Sequence, residues 1–218
     1  MDVTVIIPAF NEEKSIQRVI DTVKNSIIET NIIVVNNAST DKTKELALKK
    51  GVKVIDCSKQ GKGYAMEKGI SYVDTAITLF IDGDLEIHNK DIIKDMITPI
   101  IEKDIDFVKS AFEREGGRVT ELVAKPLLNL LFANAYKFEQ PLSGIIAGKT
   151  EYFKKVSFEK DYGVDIGILL DMIKLNAKIE EIHIGKVDSN SKSWESLNEM
   201  SEQVMKAILK RSNTELVK

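Results

Sequence analysis

The sequence predicts an α/β fold, a single domain in which a mostly parallel sheet is flanked by helices. Short runs of β-branched residues alternate with amphipathic segments from Val3 to Ile81, which is the strand–helix order of a doubly wound sheet. These runs are apolar throughout instead of alternating, as expected of strands buried on both faces. The fourth run leads directly into two acids, Asp82 and Asp84, at the edge where such sheets bind ligands.

The first strand is predicted at residues 3–7, where a β-branched run ends at Pro8. Asn11 is a good N-cap for the following helix, and Glu12 and Glu13 would then lie in its first turn, where the helix dipole favours acids. Apolar residues recur behind them at helical spacing. This unit is therefore predicted to be a buried strand followed by an amphipathic helix with one face in the core.

The rest of the first half repeats this unit. We predict strands at residues 31–35, 52–55 and 76–81. We predict helices at residues 42–50 and from the flexible loop 60–64 to about residue 72. Gly51 is a typical residue to end the first of these helices, and Lys62 is the one cation of the loop that precedes the second.

The second half is less regular. Helices are predicted at residues 89–102, 119–136, 150–156, 164–175 and 194–211, and strands at 107–110, within 141–147 and at 178–184. Pro99 is expected to interrupt the last turn of the first of these helices, and Pro126 lies inside the second. The terminal helix is amphipathic, and we expect it to pack on the domain or on a dimer partner.

Composition sets the class of protein. The chain has 218 residues, 43% hydrophobic and 30% charged, which is typical of one soluble globular domain. A net charge of −3 gives no global basic field for nucleic acid or an anionic membrane. The single Cys57 excludes an internal disulfide, and we see no signal peptide or membrane-spanning run. We therefore expect a cytoplasmic protein with no integral membrane segment.

Polar residues gather where the predicted strands end. In a doubly wound sheet, the carboxyl ends of the strands converge on one crevice. Asp82 and Asp84 offer hard oxygen donors that suit Mg²⁺ or Mn²⁺, and Gly83 lets the backbone approach a ligand closely. The alternative is an ordinary acidic turn after a core strand. The residues that we expect to bind a ligand in this crevice are Pro8, Ala9, Asn11, Glu12, Asn37, Lys62, Asp82, Gly83 and Asp84.

A nucleoside diphosphate needs what this crevice supplies. The side-chain amide of Asn36 or Asn37 can both donate to and accept from a base. A metal on Asp84, aided by Asp82, and the Lys62 amine could neutralise a diphosphate. The sequence lacks the glycine patterns of dinucleotide folds and of P-loops. That absence disfavours hydride transfer and ATP hydrolysis.

Three stretches resemble glycosyltransferases of the GT-A type, family 2. They are residues 5–13, Val-Ile-Ile-Pro-Ala-Phe-Asn-Glu-Glu; residues 36–41, Asn-Asn-Ala-Ser-Thr-Asp; and residues 82–84, Asp-Gly-Asp. The second stretch has Asn where the family has two leading acids. The resemblance implies a Rossmann-like GT-A fold and use of a nucleotide sugar, but it says little about the acceptor.

The second half resembles the glucosyl-3-phosphoglycerate synthase family more specifically. The matching stretches are residues 115–122, 126–128, 140–144 and 162–167. This resemblance implies retaining transfer of glucose from UDP-glucose to 3-phosphoglycerate, with the leaving diphosphate taking the acceptor's proton on the same face of the sugar. It places the acceptor at Gly117, Arg118, Val119 and Thr120, and it places the family's catalytic acid at Asp165. A guanidinium, a hydroxyl and backbone N–H groups suit a phosphate-bearing acid.

The sequence departs from that family in two places. Asp165 stands where the family has a longer Glu. The loop 186–192 lacks the family's metal-binding His, so Asp188, Ser189, Asn190 or a water would have to complete the metal site. His88 and His183 do not lie at the family's position, and we interpret both as structural.

These inferences divide the chain into three parts. Residues 1–90 would bind the nucleotide sugar, residues 91–193 the acceptor, and residues 194–218 would form the terminal helix. Two rivals remain: a polyprenyl-phosphate sugar synthase of the same fold, and a non-catalytic module that binds nucleotide sugars. A homodimer is also compatible with the sequence. The choice of UDP over GDP is not encoded in any motif.

Overall fold

The computed structural model describes residues 2–113, 117–132, 135, 137–188 and 193–212. Its core is one eight-stranded sheet with the order β3-β2-β1-β4-β7-β6-β8-β5. The strands β1 to β8 are Val3–Ala9, Thr30–Asn36, Lys53–Asp56, Ile77–Phe80, Glu86–Ile87, Phe107–Glu113, Ile146–Lys149 and Ile179–Asp188. The helices α1 to α8 are Ile16–Lys24, Thr43–Lys49, Lys62–Ile70, Ile92–Glu102, Lys125–Leu131, Thr150–Phe153, Val164–Lys174 and Trp194–Arg211.

The first half forms the parallel sheet that the sequence predicts. β1 pairs in parallel with β2 on one side and with β4 on the other, and β3 pairs in parallel with β2. The strand β1 does not end before Pro8, because its pairing with β2 continues to Ala9. Pairing with β4 has already stopped at Ile6, so Pro8 has a paired neighbour on one side only, where its missing N–H is tolerated.

The second half adds antiparallel strands that the sequence pattern did not predict. β7 lies antiparallel between β4 and β6, and the two-residue β5 lies antiparallel to β8 at the sheet edge. β6 and β8 are parallel and longer than predicted. β5 was missed because two residues carry no periodicity. The sheet is therefore mostly parallel but mixed, and β7 brings the residues before it to the carboxyl end of β4.

Helices cover both faces of the sheet, and each face has its own hydrophobic cluster. The helix α1 begins at Ile16, not near Asn11 as predicted, because the Asn11 side chain is bonded to a neighbouring loop. Pro99 lies inside α4 without ending it. A π-helical turn, Thr120–Ala124, precedes α5, which places Pro126 in the first turn of α5, where a missing N–H costs little. No helix in the described ranges is long and apolar enough to cross a membrane.

Candidate active site

A cavity of about 620 Å³ opens where β1, β2 and β4 end. Its lining includes the predicted catalytic residue Asp165, contributed by α7. The predicted ligand-binding residues that line it are Pro8, Ala9, Glu12, Asn37, Lys62, Asp82, Gly83 and Asp84. The topology has thus brought together side chains that are up to 157 positions apart in the sequence, from Pro8 to Asp165.

Asn11 is absent from this lining. Its side-chain oxygen accepts a hydrogen bond from the Thr40 N–H at 2.8 Å, and its own N–H donates to Ser39 Oγ at 3.1 Å. The residue has a φ of 55°, in the left-handed region that Asn tolerates better than most residues. Asn11 therefore joins the loops that follow β1 and β2, and its contact with a bound donor stays a prediction.

Asn37 lines the cavity but uses both ends of its amide to hold the loop before α3. The amide nitrogen donates to Lys59 O at 2.6 Å, and its oxygen accepts from the Gly61 N–H at 2.7 Å. Gly61 has a φ of 139°, which favours glycine. This bracing places Lys62, the first residue of α3, at the cavity wall.

The Lys62 amine lies between two carboxylates. Its Nζ is 2.7 Å from Asp82 Oδ1 and 2.8 Å from Asp165 Oδ2, and the lysine side chain is only 17% exposed. Burial lowers the pKa of Lys62, but the carboxylates of Asp165 and Asp82 outweigh it and raise the pKa above its ordinary value. Lys62 is therefore a permanent cation that couples Asp82, at the end of β4, to Asp165 on α7.

Asp165 keeps one oxygen for a ligand. Its side chain is 6% exposed, and Oδ1 is buried with no hydrogen-bond partner among the described residues. Burial raises the pKa of Asp165, and Lys62 opposes that shift. An unpaired buried acceptor is costly, so it marks a place where a ligand hydroxyl can donate.

Three acids that line the cavity, Glu12, Asp82 and Asp84, form what we call the acidic wall. The pKa of Glu12 is raised by burial and also by the negative charges of Asp84 and Asp82, against the Ser15 hydrogen bond. The closely spaced negative charges of Glu12, Asp82 and Asp84 favour binding of a cation, and carboxylate oxygens suit Mg²⁺ or Mn²⁺. The described residues contain no group of three or more His, Cys, Asp or Glu arranged as a metal cage. That Asp84 with Asp82 holds a divalent ion, with water or substrate oxygens completing its shell, stays a prediction.

The loop before α8 is described only in part. Asp188 ends β8, and its carboxylate lies 2.8 Å from His88 Nε2 and 3.1 Å from Lys186 Nζ. Ser189 and Asn190, the other predicted substitutes for the family's His, lie outside the described residues. The identity of a third protein ligand stays a prediction.

The predicted acceptor residues do not line this cavity. Gly117 has a φ of 81°, and Val119 and Thr120 are buried where the π-helical turn begins. The Arg118 guanidinium stacks over the Trp194 ring, 4.8 Å from its centroid. Glu115 and Gly116 of the same motif fall outside the described residues. The acceptor role of residues 117–120 therefore stays a prediction, and the structure adds that Arg118 is braced by the first residue of α8.

Sequence reasoning missed the side of the cavity that β6 and β7 create. Leu142, Ser143 and Gly144, which precede β7, line the cavity together with Phe112 from β6. Beneath them lies Lys109, which is fully buried. A signal was present, because Lys109 is the one charged residue within the otherwise apolar or small run 107–112.

The fold and the site together define a class of protein: an α/β enzyme with a cavity lined by acids and a lysine at the carboxyl edge of its sheet. The chain belongs to glycosyl transferase family 2, whose model matches residues 4–161. This confirms the predicted family, and it also makes the chain a glycosyltransferase.

Relatives of this chain include glucosyl-3-phosphoglycerate synthases. The enzyme of Mycobacterium tuberculosis is 31% identical over 237 residues, covering 96% of this chain and 73% of that protein. The enzyme of Petrotoga mobilis is 30% identical, with the same coverage.

Solved structures of the Mycobacterium tuberculosis enzyme have the same fold. The complex with Mg²⁺ and uridine diphosphate has a TM-score of 0.91 and 31% identity, covering 98% of this chain and 80% of that chain. The complex with Mn²⁺, UDP-glucose and phosphoglyceric acid has a TM-score of 0.88 and 32% identity. The match covers 96% of this chain and 79% of that chain. These similarities confirm the predicted GT-A-type fold.

Proposed function

We propose that this chain transfers glucose from UDP-glucose to 3-phosphoglycerate, with retention at the anomeric carbon and with a divalent metal. The observation that carries the proposal is the cavity itself, in which Lys62 joins Asp82 to Asp165 and which Glu12 and Asp84 also line. The support from relatives is that they are glucosyl-3-phosphoglycerate synthases, one of them solved with UDP-glucose and phosphoglyceric acid.

The acidic wall binds the donor's diphosphate through a metal. Asp84, with Asp82, would hold Mg²⁺ or Mn²⁺, which would neutralise the charge that develops on the leaving diphosphate. Glu12 and Gly83 shape this wall, since a Cβ on Gly83 would lie 3.1 Å from Pro8 O. Asn37 and the loop it braces form the neighbouring wall, on which the nucleoside lies.

Asp165 acts on the sugar. Its Oδ1, which has no partner among the described residues, accepts a hydrogen bond from a hydroxyl of the glucosyl group or orients the acceptor's hydroxyl. Lys62 donates a hydrogen bond to its other oxygen, Oδ2. A carboxylate held in this way needs no reorganisation when the donor binds. The shorter side chain of Asp places the substrate nearer to α7 than the family's Glu would.

The acceptor occupies the second part of the site. Arg118, held by Trp194, and Thr120 bind the phosphate or carboxylate of 3-phosphoglycerate, with Gly117 and Val119 supplying the backbone that positions them. Residues 1–90 then bind the donor and residues 91–193 the acceptor. The terminal helix also contributes, since Gln203 of α8 lines the cavity.

Release of UDP tests this function directly. The protein is incubated with UDP-glucose and Mg²⁺ or Mn²⁺, with 3-phosphoglycerate present, absent, or replaced by a polyprenyl phosphate. We expect release that requires both the metal and 3-phosphoglycerate. Release with the polyprenyl phosphate alone would favour the lipid-acceptor rival, and UDP binding without release under any condition would favour the non-catalytic module.

We also propose a cytoplasmic homodimer as the working form of the protein. The location rests on the single cysteine, which has no disulfide partner, and the homodimer is a form with which the sequence is compatible, although Val204, Ala207 and Ile208 of the terminal helix are buried within the domain itself. Sedimentation equilibrium of the purified chain tests the dimer, and a monomer at micromolar concentration would contradict it.

A further inference from the structure

Lys109 is a buried ammonium that the proposed reaction has not used. It lies in the middle of β6, paired with Ile146 of β7 and Glu181 of β8, and its relative exposure is 0%. Burying an amine in a core of apolar residues is costly unless the amine is bonded and electrostatically compensated. The position therefore has to be explained by what the amine contacts.

The amine holds the loop that forms one side of the cavity. Lys109 Nζ donates to Ser143 O at 2.9 Å, and the Ser110 hydroxyl lies 2.6 Å from the Ser143 hydroxyl. Two adjacent residues of β6 thus fix Ser143 from opposite faces of the strand. We call residues 142–144, all of which line the cavity, the back wall.

The segment before the back wall is fixed as well. The Glu181 carboxylate on β8 accepts the Glu139 N–H at 2.8 Å and the Gln140 N–H at 3.0 Å. The chain from residue 139 to residue 143 is therefore tied to two neighbouring strands of the sheet.

The back wall packs directly on the charged pair at the cavity. A Cβ on Gly144 would lie 2.2 Å from Asp82 Oδ2 and 2.5 Å from Lys62 Nζ. Only a glycine leaves room for both groups there. A small movement of Ser143 would therefore move Gly144 against Asp82 or away from it, and Asp82 is one of the residues proposed to bind the metal.

The charge of Lys109 also acts on this cluster. Burial lowers the pKa of Lys109 to about 8, and the charges that act on it next are those of Asp165, Lys62, Glu181 and Asp82. The ammonium groups of Lys62 and Lys109 offset the negative charge of the neighbouring carboxylates, Asp165, Glu181 and Asp82. Without Lys109, the buried cluster would carry an extra negative charge just where a diphosphate has to bind.

We propose that Lys109 is a positioning residue for the reaction, which holds the back wall against Asp82 and supplies the positive charge that balances the carboxylates beneath the donor. This inference rests on the proposed function, because it takes the cavity to be the donor site. The side chain does not line the cavity, so it acts through Ser143, Gly144 and its field.

Two substitutions separate the charge from the hydrogen bond. K109M removes both, and K109Q keeps a donor for Ser143 O but removes the charge. The matched control is K154M, since Lys154 Nζ also donates to a backbone carbonyl, Val73 O at 3.0 Å, away from the cavity. The measurements are the Kd for UDP with Mn²⁺ by titration calorimetry, the thermal unfolding temperature, and kcat with UDP-glucose and 3-phosphoglycerate.

We expect UDP binding to weaken at least about fivefold in both K109M and K109Q, while K154M stays within about twofold of the parent. We expect K109M to unfold no earlier than the parent, because replacing a buried charge by an apolar side chain of similar volume is often neutral or stabilising. A purely structural lysine would instead lower the unfolding temperature and leave the affinity of the folded protein unchanged.

Parent-like UDP affinity in K109Q would overturn the proposal, because the hydrogen bond alone would then suffice. If K109M does not fold, the fivefold threshold for the weakening of UDP binding is applied to K109Q alone, and that result decides whether the proposal stands. Failure of the proposed function is seen separately, as a parent protein that binds UDP with Mn²⁺ but releases none from UDP-glucose with 3-phosphoglycerate. The UDP affinities of the variants would still decide the role of Lys109.

Discussion

At the scale of single residues, the Lys62 amine is the group that connects the two halves of the site. Lys62 is bonded to Asp82 and to Asp165, so two carboxylates from distant parts of the chain are held at a fixed spacing before any ligand arrives. The second oxygen of Asp165 is buried with no hydrogen-bond partner in the described part of the chain, and we propose that it accepts a hydrogen bond from a substrate hydroxyl. Such preorganisation lowers the cost of aligning the donor with its acceptor.

The metal assignment can be tested at one residue. The substitution Asp84→Ala removes a carboxylate from the acidic wall, so we expect the Kd for UDP in the presence of Mn²⁺ to rise at least about tenfold, the loss of one charge-assisted contact. Titration calorimetry with and without the metal measures it. The matched control is Asp74→Ala, because Asp74 precedes β4 at the opposite edge of the sheet. Unchanged Mn²⁺-dependent binding in the Asp84 variant would contradict the assignment.

The terminal helix α8 closes the cavity at the scale of elements. Its residues Met200 and Gln203 line the cavity, and Gln203 Oε1 also accepts the Tyr162 N–H at 3.0 Å, just before α7. At its far end, Arg211 Nε lies 2.7 Å from Asp171 Oδ1, and Arg211 Nη1 lies 2.6 Å from Glu159 Oε1. The helix is thus fastened at its middle and at its C-terminal end to α7, which carries Asp165, and to the segment that precedes α7.

We expect Arg211→Ala to lower the free energy of unfolding by about 3 kcal/mol, because it removes the buried guanidinium that pairs with Asp171 and Glu159 and leaves Glu159 paired with the exposed Lys210. Burial would raise the pKa of Glu159, but its hydrogen bond from Arg211 outweighs this and holds the pKa below its ordinary value. The resulting stability is present above the unfolded-state pKa of 4.5 and is lost as pH falls through the folded-state pKa. Urea unfolding from pH 7 to pH 3 measures both effects.

The control for Arg211 is Lys206→Ala on the same helix. Lys206 pairs with the exposed Glu202 one turn away, so its removal should cost no more than about 0.5 kcal/mol. Two results would show that α8 is not held by this buried cluster. One is that both variants lose the same free energy of unfolding. The other is that the Arg211 variant loses as much stability between pH 7 and pH 3 as the parent does.

The contact between Arg118 and Trp194 joins the start of α8 to the proposed acceptor residues. We expect Trp194→Ala to raise the KM for 3-phosphoglycerate about three- to fivefold, the worth of an exposed cation–π contact, and to leave UDP affinity unchanged. Trp194→Phe should lie in between, because it keeps a smaller aromatic face. Steady-state kinetics with each substrate varied provides the test, and an equal loss for donor and acceptor would contradict the division of roles.

At the scale of the whole molecule, the sequence predicted the parallel half of the sheet and its carboxyl edge well. Buried strands have continuous apolar runs, and acids directly behind such runs can be located without a structure. Asp82 and Asp84 were identified from the sequence for this reason, and Lys62 was identified as the cation of the loop after β3. The structure places all three residues at one cavity.

The remainder of the site depends on long-range pairing that the sequence does not display. β7 inserts antiparallel between β4 and β6, so Gly144 meets Asp82, and Lys109 comes to lie beneath both. Asn11 was wrongly predicted to cap α1. Asn is a good capping residue, but the Asn11 side chain accepts a hydrogen bond from the Thr40 N–H of a neighbouring loop instead. Local propensity is overridden wherever a neighbouring loop offers the same hydrogen bond.

The most direct test of the central claim is the ¹H NMR spectrum of the product formed from UDP-glucose, 3-phosphoglycerate and Mn²⁺. We predict one glucosylated product whose anomeric proton keeps the α configuration of the donor, formed with one UDP per sugar transferred and absent when the metal is chelated. A β-linked product, free glucose in place of a glucosylated acid, or no product from a protein that binds UDP would contradict the assignment.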